Sequence, residues 1–323
     1  MKKITSAILP LVALALFALA FTFLRNQLSA YSWTEIYADL IKMPYWQIGL
    51  AAGVTLISYG LLIGYDALAL SYAHQKIPLV RLLFAGFTGF AFSNNLGAPI
   101  VTGGILRFRL YATFGIKATD IAKIVVYLGV AFWIGVLAAG GLYLTIQPSH
   151  LSGHIGGHIM ATRYLGFLFV IGCMVLLLIC AKHQRELKVW KWKIALPSRH
   201  LAIRQLLLGV LDWTVSGTVL YCLLPRPNHV PFTFFIGAFI LTQVAGFLSH
   251  VPGGIGILES SILAVLKPYY HAPQLIGVLL VYRLIYYFIP LFIASIMMGG
   301  YEVERFRRSW KARKTRALGH SKH

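Results

Sequence analysis

The sequence predicts an all-α polytopic membrane protein with about six full spans and two broken helical hairpins, arranged as an inverted-topology repeat with both termini in the cytoplasm. Three observations predict it. Hydrophobic residues fill 58% of the 323 positions and charged residues only 12%, with a mean hydropathy of +0.74, whereas a soluble domain is about one quarter charged. Apolar runs recur at the ~20-residue length that crosses a bilayer. Two further runs are broken by Gly/Pro-containing polar stretches, Ser93-Asn94-Asn95-Leu96-Gly97-Ala98-Pro99 and Ser249-His250-Val251-Pro252-Gly253-Gly254-Ile255-Gly256, at corresponding places in the two halves. Irregular backbone at membrane depth leaves peptide groups unpaired unless it faces protein or water, so paired breaks point to a transport pathway.

Full spans are expected at about 6–24, 46–72, 120–146, 164–181, 205–224 and 274–299. The first follows Lys2 and Lys3 and contains Ala18-Leu19-Ala20, as a signal peptide would. Its apolar residues continue to Arg25 without the polar break of a cleavage site, so it reads as a retained anchor. In the second, Gly49 and Gly53 offer a small-residue face for packing or dimerisation. The broken stretches 82–105 and 232–266 each either dip in and out or cross twice, and neither choice changes the sidedness. One integral membrane domain covers 1–323, with half-repeats at about 46–146 and 205–299 and a basic cytoplasmic tail at 300–323.

The formal charge of +20 does not indicate nucleic acid, because the 29 Lys and Arg alternate by loop. Residues 1–7, 74–81, 106–123, 181–204 and 300–323 hold two, two, four, seven and eight of them, and the intervening loops only Arg25, Lys42, Arg163, Arg226 and Lys267. This bias places both termini in the cytoplasm and brings the two broken stretches in from opposite faces. The tail would rest against anionic headgroups. Cys173, Cys180 and Cys222 lie in apolar runs without the spacing of a disulfide framework or zinc site, so they read as core.

Of nine acidic residues, Asp66, Asp212 and Glu259 fall inside apolar stretches, together with Arg283. A central charge in hydrocarbon costs ~2.5 kcal/mol or more, so each should face a cavity, a partner or a substrate. The alternative is mutual pairing, with Arg283 neutralising Glu259 or Asp212 to hold helices together. Arg283, Tyr286, Tyr287 and Pro290 form one helical stripe, suited to lining a cavity for a phosphate-bearing headgroup, with a kink at the proline. In the first hairpin Asn94 and Asn95 supply polar groups at the tip, Gly103 and Gly104 permit close backbone approach, and Arg107 and Arg109 stand at the cytoplasmic exit, as lipid contacts or as positive-inside anchors. In the second, Pro252 starts a half-helix and Gly253 and Gly254 expose amides that could hold an anion, with Glu259 one turn on. His250 is a candidate for proton coupling or an interhelical hydrogen bond. His150, His154 and His158 have the spacing of a metal edge, but Gly153, Gly156 and Gly157 spoil the helix, and no metal or cofactor is expected.

The runs Gly103-Gly104-Ile105-Leu106-Arg107-Phe108-Arg109-Leu110-Tyr111, His250-Val251-Pro252-Gly253-Gly254-Ile255-Gly256-Ile257-Leu258-Glu259 and Tyr282-Arg283-Leu284-Ile285-Tyr286-Tyr287-Phe288-Ile289-Pro290, with Ser58-Tyr59 and Tyr65-Asp66, resemble the transmembrane region of bacterial lysylphosphatidylglycerol synthases. The chain is most similar to stand-alone members of that family. In two-part members the membrane region moves aminoacylated phosphatidylglycerol between leaflets and a separate soluble domain attaches lysine. The resemblance therefore implies lipid handling without lysyl transfer, a non-enzymatic role, with Asp66, Arg107, Glu259 and Arg283 at family motif positions. The expected activity is a flippase or scramblase of anionic or aminoacylated phosphatidylglycerol-type lipids, its partners being membrane phospholipids and a possible separate lipid synthase. The competing expectations are a non-transporting scaffold for such a synthase and an ion-coupled small-molecule transporter.

Overall fold

A computed structural model of the chain describes residues 33–96, 99–147, 159–181, 186–189, 192–225, 230–249 and 251–320. The expected first span, its signal-peptide pattern, His150, His154, His158 and His250 lie outside the described residues. The helices are α1 (Trp33–Ile41), α2 (Tyr45–Tyr72), α3 (Leu79–Leu96), α4 (Pro99–Thr113), α5 (Ala118–Ile146), α6 (Ile159–Ala181), α7 (Arg199–Leu223), α8 (Phe232–Leu248), α9 (Ile257–Leu266), α10 (Ala272–Arg283) and α11 (Ile289–His320). A π-helical turn, Leu284–Phe288, joins α10 to α11.

Five of these are long and apolar enough to cross a membrane: α2, α5, α6, α7 and the continuous α10–α11 rod. They coincide with the five expected spans that fall among the described residues, and the chain is a multi-pass membrane protein. Exposed apolar side chains such as Leu56 on α2 and Leu168, Ile171 and Leu178 on α6 give the outer surface the character that lipid requires. The membrane-spanning part is helical throughout the described residues, as expected, and one short ribbon outside it was not foreseen. In the basic loop between α6 and α7, strands β1 (Glu186–Val189) and β2 (Trp192–Ala195) pair antiparallel, Glu186 opposite Ala195. The signal was present: Glu-Leu-Lys-Val and Trp-Lys-Ile-Ala alternate polar and apolar residues with the strand period of two.

Both broken stretches fold back on themselves. Arg81 at the start of α3 lies over the ring of Phe114 just beyond α4, 5.3 Å from its centroid. Phe234 at the start of α8 meets Tyr269 just beyond α9, with centroids 6.3 Å apart. Each pair of helices therefore ends beside its own beginning, and α9, with ten residues, is about 15 Å long, half a hydrocarbon core. The mouth of the first hairpin abuts the far end of the rod, where Tyr301 bonds Thr113 and packs on Phe84. The mouth of the second lies beside the start of the rod at Ala272. The two hairpins enter the bundle from opposite ends.

At the centre α2 packs on α7, and α5 crosses α7 where Gly135 meets Gly209. A Cβ at Gly209 would lie 2.6 Å from the Gly135 Cα, a backbone atom that cannot turn aside. Gly209→Ala should therefore cost about 1–3 kcal/mol of stability by forcing the helices apart. Unfolding by detergent titration measures it, and an unchanged midpoint would refute the close packing. The cysteines are free and partly buried.

Candidate functional site

Among the described residues three acidic side chains are buried in the helical bundle, and their surroundings differ. Asp66 on α2 is fully buried and accepts Arg107 Nε and Nη2, each at 2.8 Å, in a bidentate pair. Tyr111 adds a third donor at 2.6 Å. Arg107 sits on the ring of Phe90, 4.3 Å from the centroid, beside Gly103, where any Cβ would run into Ser93 Oγ. Arg107 was expected at the cytoplasmic exit and is instead 4% exposed. Two residues on, Arg109 stands at the mouth of the hairpin, paired with Glu302 of α11 at 2.7 Å. A step of two turns a helix through about 200°, so the two arginines face opposite ways.

Glu259 on α9 and Arg283 on α10 form the second buried pair, Nε to Oε1 at 2.6 Å. The other guanidinium nitrogens are also committed: Nη1 donates to the Gly253 carbonyl at 2.5 Å and Nη2 to that of Gly254 at 3.2 Å. Tyr287 covers the guanidinium at 4.6 Å. Glu259 Oε2 accepts the Gly256 amide at 2.7 Å, so the carboxylate reaches back to cap its own helix. The turn needs glycine, since Gly253, Gly254 and Gly256 have φ of +61°, +57° and +88°.

Two expectations are thereby corrected. The half-helix starts at Ile257 rather than at Pro252, and the amide at its N-cap already holds an anion, Glu259. The expected stripe through Arg283 is also not one α-helical face, because Leu284–Phe288 is a π turn in which the Ile289 amide reaches back to the Leu284 carbonyl. Pro290 explains the widening: its ring would clash with the carbonyl four residues back, and an expanded turn relieves this.

The two breaks touch. A Cβ at Gly253 would lie 3.5 Å from the Asn95 carbonyl oxygen, and Asn95 Nδ2 donates to Ala91 O at 2.8 Å and to Tyr287 O at 3.2 Å. Beside this junction lies a cavity of about 330 Å³. Of the expected site residues, Asn94, Gly104, Arg107, Asp212, Gly253, Gly254, Tyr286 and Tyr287 line it. Asp66, Asn95, Gly103, Glu259 and Arg283 stand behind that wall, holding it, and Arg109 is remote at the hairpin mouth. Only the backbone of Pro252 is described.

Asp212 on α7 is the third acid, 8% exposed and on the cavity wall, with no cation within ion-pair distance among the described residues. Its Oδ1 accepts Ser216 Oγ at 3.4 Å. Ser216 belongs to a hydroxyl triangle with Ser58 of α2 (3.1 Å) and Tyr286 (2.9 Å), closed by Ser58 to Tyr286 at 3.0 Å. Tyr65 interacts with Asp212 from α2, and the Trp213 indole N–H is a buried donor with no acceptor. Ser216, Trp213, the hydroxyl contacts of Ser58 and the acid-binding role of Tyr111 were not read from sequence. Tyr111 carried a signal, four residues after Arg107 on one helix face.

Residues 10–294 match the family described as the lysylphosphatidylglycerol synthase TM region. The chain is 33% identical over 297 residues to a Synechocystis sp. protein, slr0712, covering 92% of each. It is 31% identical over 270 residues to the inner membrane protein YbhN of Escherichia coli, covering 82% of this chain and 83% of that one. A phosphatidylglycerol lysyltransferase of Staphylococcus haemolyticus is 25% identical over 237 residues, which are 72% of this chain and 27% of that protein. The chain belongs to the lysylphosphatidylglycerol synthase TM region family.

Proposed function

We propose, taking that membership as the premise, that this protein moves phospholipid headgroups between leaflets, as a flippase or scramblase of anionic or aminoacylated phosphatidylglycerol-type lipids in a bacterial inner membrane. The observation that carries the reading is the cavity at the junction of the two breaks. Its size is that of a small-molecule pocket, enough for a headgroup whose acyl chains stay in lipid. Gly253, Gly254 and Asn94 put backbone and amide dipoles on its wall, and Arg107 adds a cation whose Nη1 is not used by Asp66.

An inverted-topology repeat is supported by the hairpins entering from opposite ends of the bundle. So is its placement, with the first mouth and the basic end of α11 in the cytoplasm. On this reading both hairpins are re-entrant, neither crosses, and the protein performs no lysyl transfer.

One observation favours the scaffold instead: Arg283 spends every donor nitrogen on the protein itself, as a purely structural clasp would. Reconstitution decides. Purified protein in vesicles carrying fluorescent phosphatidylglycerol should speed the loss of inner-leaflet signal to an impermeant quencher, and a rate equal to that of empty vesicles would remove the transport reading. Gly129→Phe puts a bulky ring on the cavity wall and should lower the protein-dependent rate about tenfold, ~1.4 kcal/mol of barrier.

A further inference from the structure

We propose that Asp212 is a proton-exchange site that couples the cavity to the junction of the two breaks. This deepens the lipid-handling reading, on which it rests only for what the proton would drive.

The three buried acids differ in their partners. Asp66 and Glu259 each have an arginine, and Asp212 has none among the described residues. A carboxylate taken out of water without a counter-charge is relieved only by gaining a cation, and the smallest available to a membrane cavity is the proton. Asp212 is placed to receive one, on the cavity wall and not sealed inside packed helices. The Tyr65 hydroxyl, which interacts with Asp212 from α2, and the buried Trp213 N–H, which has no acceptor, converge beside Gly135, each 3.2 Å from where a Cβ there would lie. Two converging donors next to a carboxylate are the partners that an ordered water requires. The step is balanced: a hydronium in the cavity gives its proton to a carboxylate oxygen of Asp212, leaving water and a neutral acid, and the reverse step returns it.

The groups that face Asp212 are few. Tyr65 interacts with it from α2 and Tyr286 from the π turn, and Ser216 lies one turn along α7. Arg107 lines the same cavity, with its charge balanced by Asp66.

The proton's effect has a route. Ser216 has a single hydrogen to donate and three acceptors in reach, Asp212, Ser58 and Tyr286. An ionised Asp212 draws that hydrogen, and a protonated one releases it to the triangle. The hydroxyl of Tyr286 belongs to the π turn, whose carbonyls accept Tyr59 from α2 at Tyr286 and Asn95 from the first break at Tyr287. Proton occupancy of Asp212 thus alters the hydrogen-bond direction at the element that holds the two breaks together.

The test is infrared difference spectroscopy of the full chain in lipid, from about pH 5 to about pH 9, following the carbonyl stretch of a protonated carboxylic acid. Wild type should show one such band that disappears as pH rises, Asp212→Asn should lack it, and Ser216→Ala should keep it at a shifted frequency because its hydrogen-bond partner is gone. A band that persists in Asp212→Asn, or no titrating carboxyl band at all, overturns the proposal. In vesicles the wild-type lipid rate should change with pH and that of Asp212→Asn should not. If the band behaves as expected but lipid does not move, the transport reading fails and the proton site stands. If lipid moves and the band is absent, the proton site fails and the transport reading stands.

Discussion

Arg107→Ala should lose about 3–5 kcal/mol of folding stability, because it leaves Asp66 as a buried charge with only the Tyr111 hydroxyl to bind it. The loss comes from orphaning a partner and does not measure how much the pair stabilises. Replacing both charges, Asp66→Leu with Arg107→Met, and adding Tyr111→Phe so that its hydroxyl is not left unpaired, should therefore cost much less than the single change. Detergent-titration unfolding of the two variants checks this. If the triple variant is as unstable as Arg107→Ala, the penalty belongs to packing against Phe90 and not to the uncompensated acid.

Arg283→Ala should be comparably damaging and more local. It frees Glu259 and two carbonyls of a left-handed glycine turn at one stroke, a loss of about 3–5 kcal/mol. Since each ~1.4 kcal/mol is tenfold, the amides from Val251 to Gly256 should exchange with solvent roughly a hundredfold faster or more. Arg283→Lys should fall between, because an ammonium keeps the charge but cannot present a planar fork to a carboxylate and two carbonyls together. Wild-type protection in Arg283→Lys would show that charge alone holds the turn.

The spans were legible because apolar length alone specifies a crossing helix, and their starts fell within six residues of those of α2, α5, α6, α7 and the α10–α11 rod. The buried charges were legible for the same reason, each standing out in an apolar run. Their partners were not. Asp66 and Arg107 are 41 positions apart and meet only because the first hairpin folds back, whereas sequence offered Arg283 two acids and no way to choose. The geometry of the second turn was half readable: the glycines announced an unusual backbone, but Glu259 capping Gly256 depends on where α9 begins. The π turn follows from Pro290, which sequence read as a plain kink. The pairing of Ser58 with Ser216 was invisible because a serine in a span most often bonds its own helix, and only the α2–α7 contact turns these two toward each other.

The α11 helix has one more mechanical consequence. It runs unbroken for 32 residues, about 48 Å, from the π turn outward. About 18 Å from that root, Tyr301 and Glu302 grip Thr113 and Arg109 at the rim of the first hairpin. A stiff beam fastened at two points transmits torque with little loss, so a swivel at the root must appear as leverage on the opposite half of the molecule.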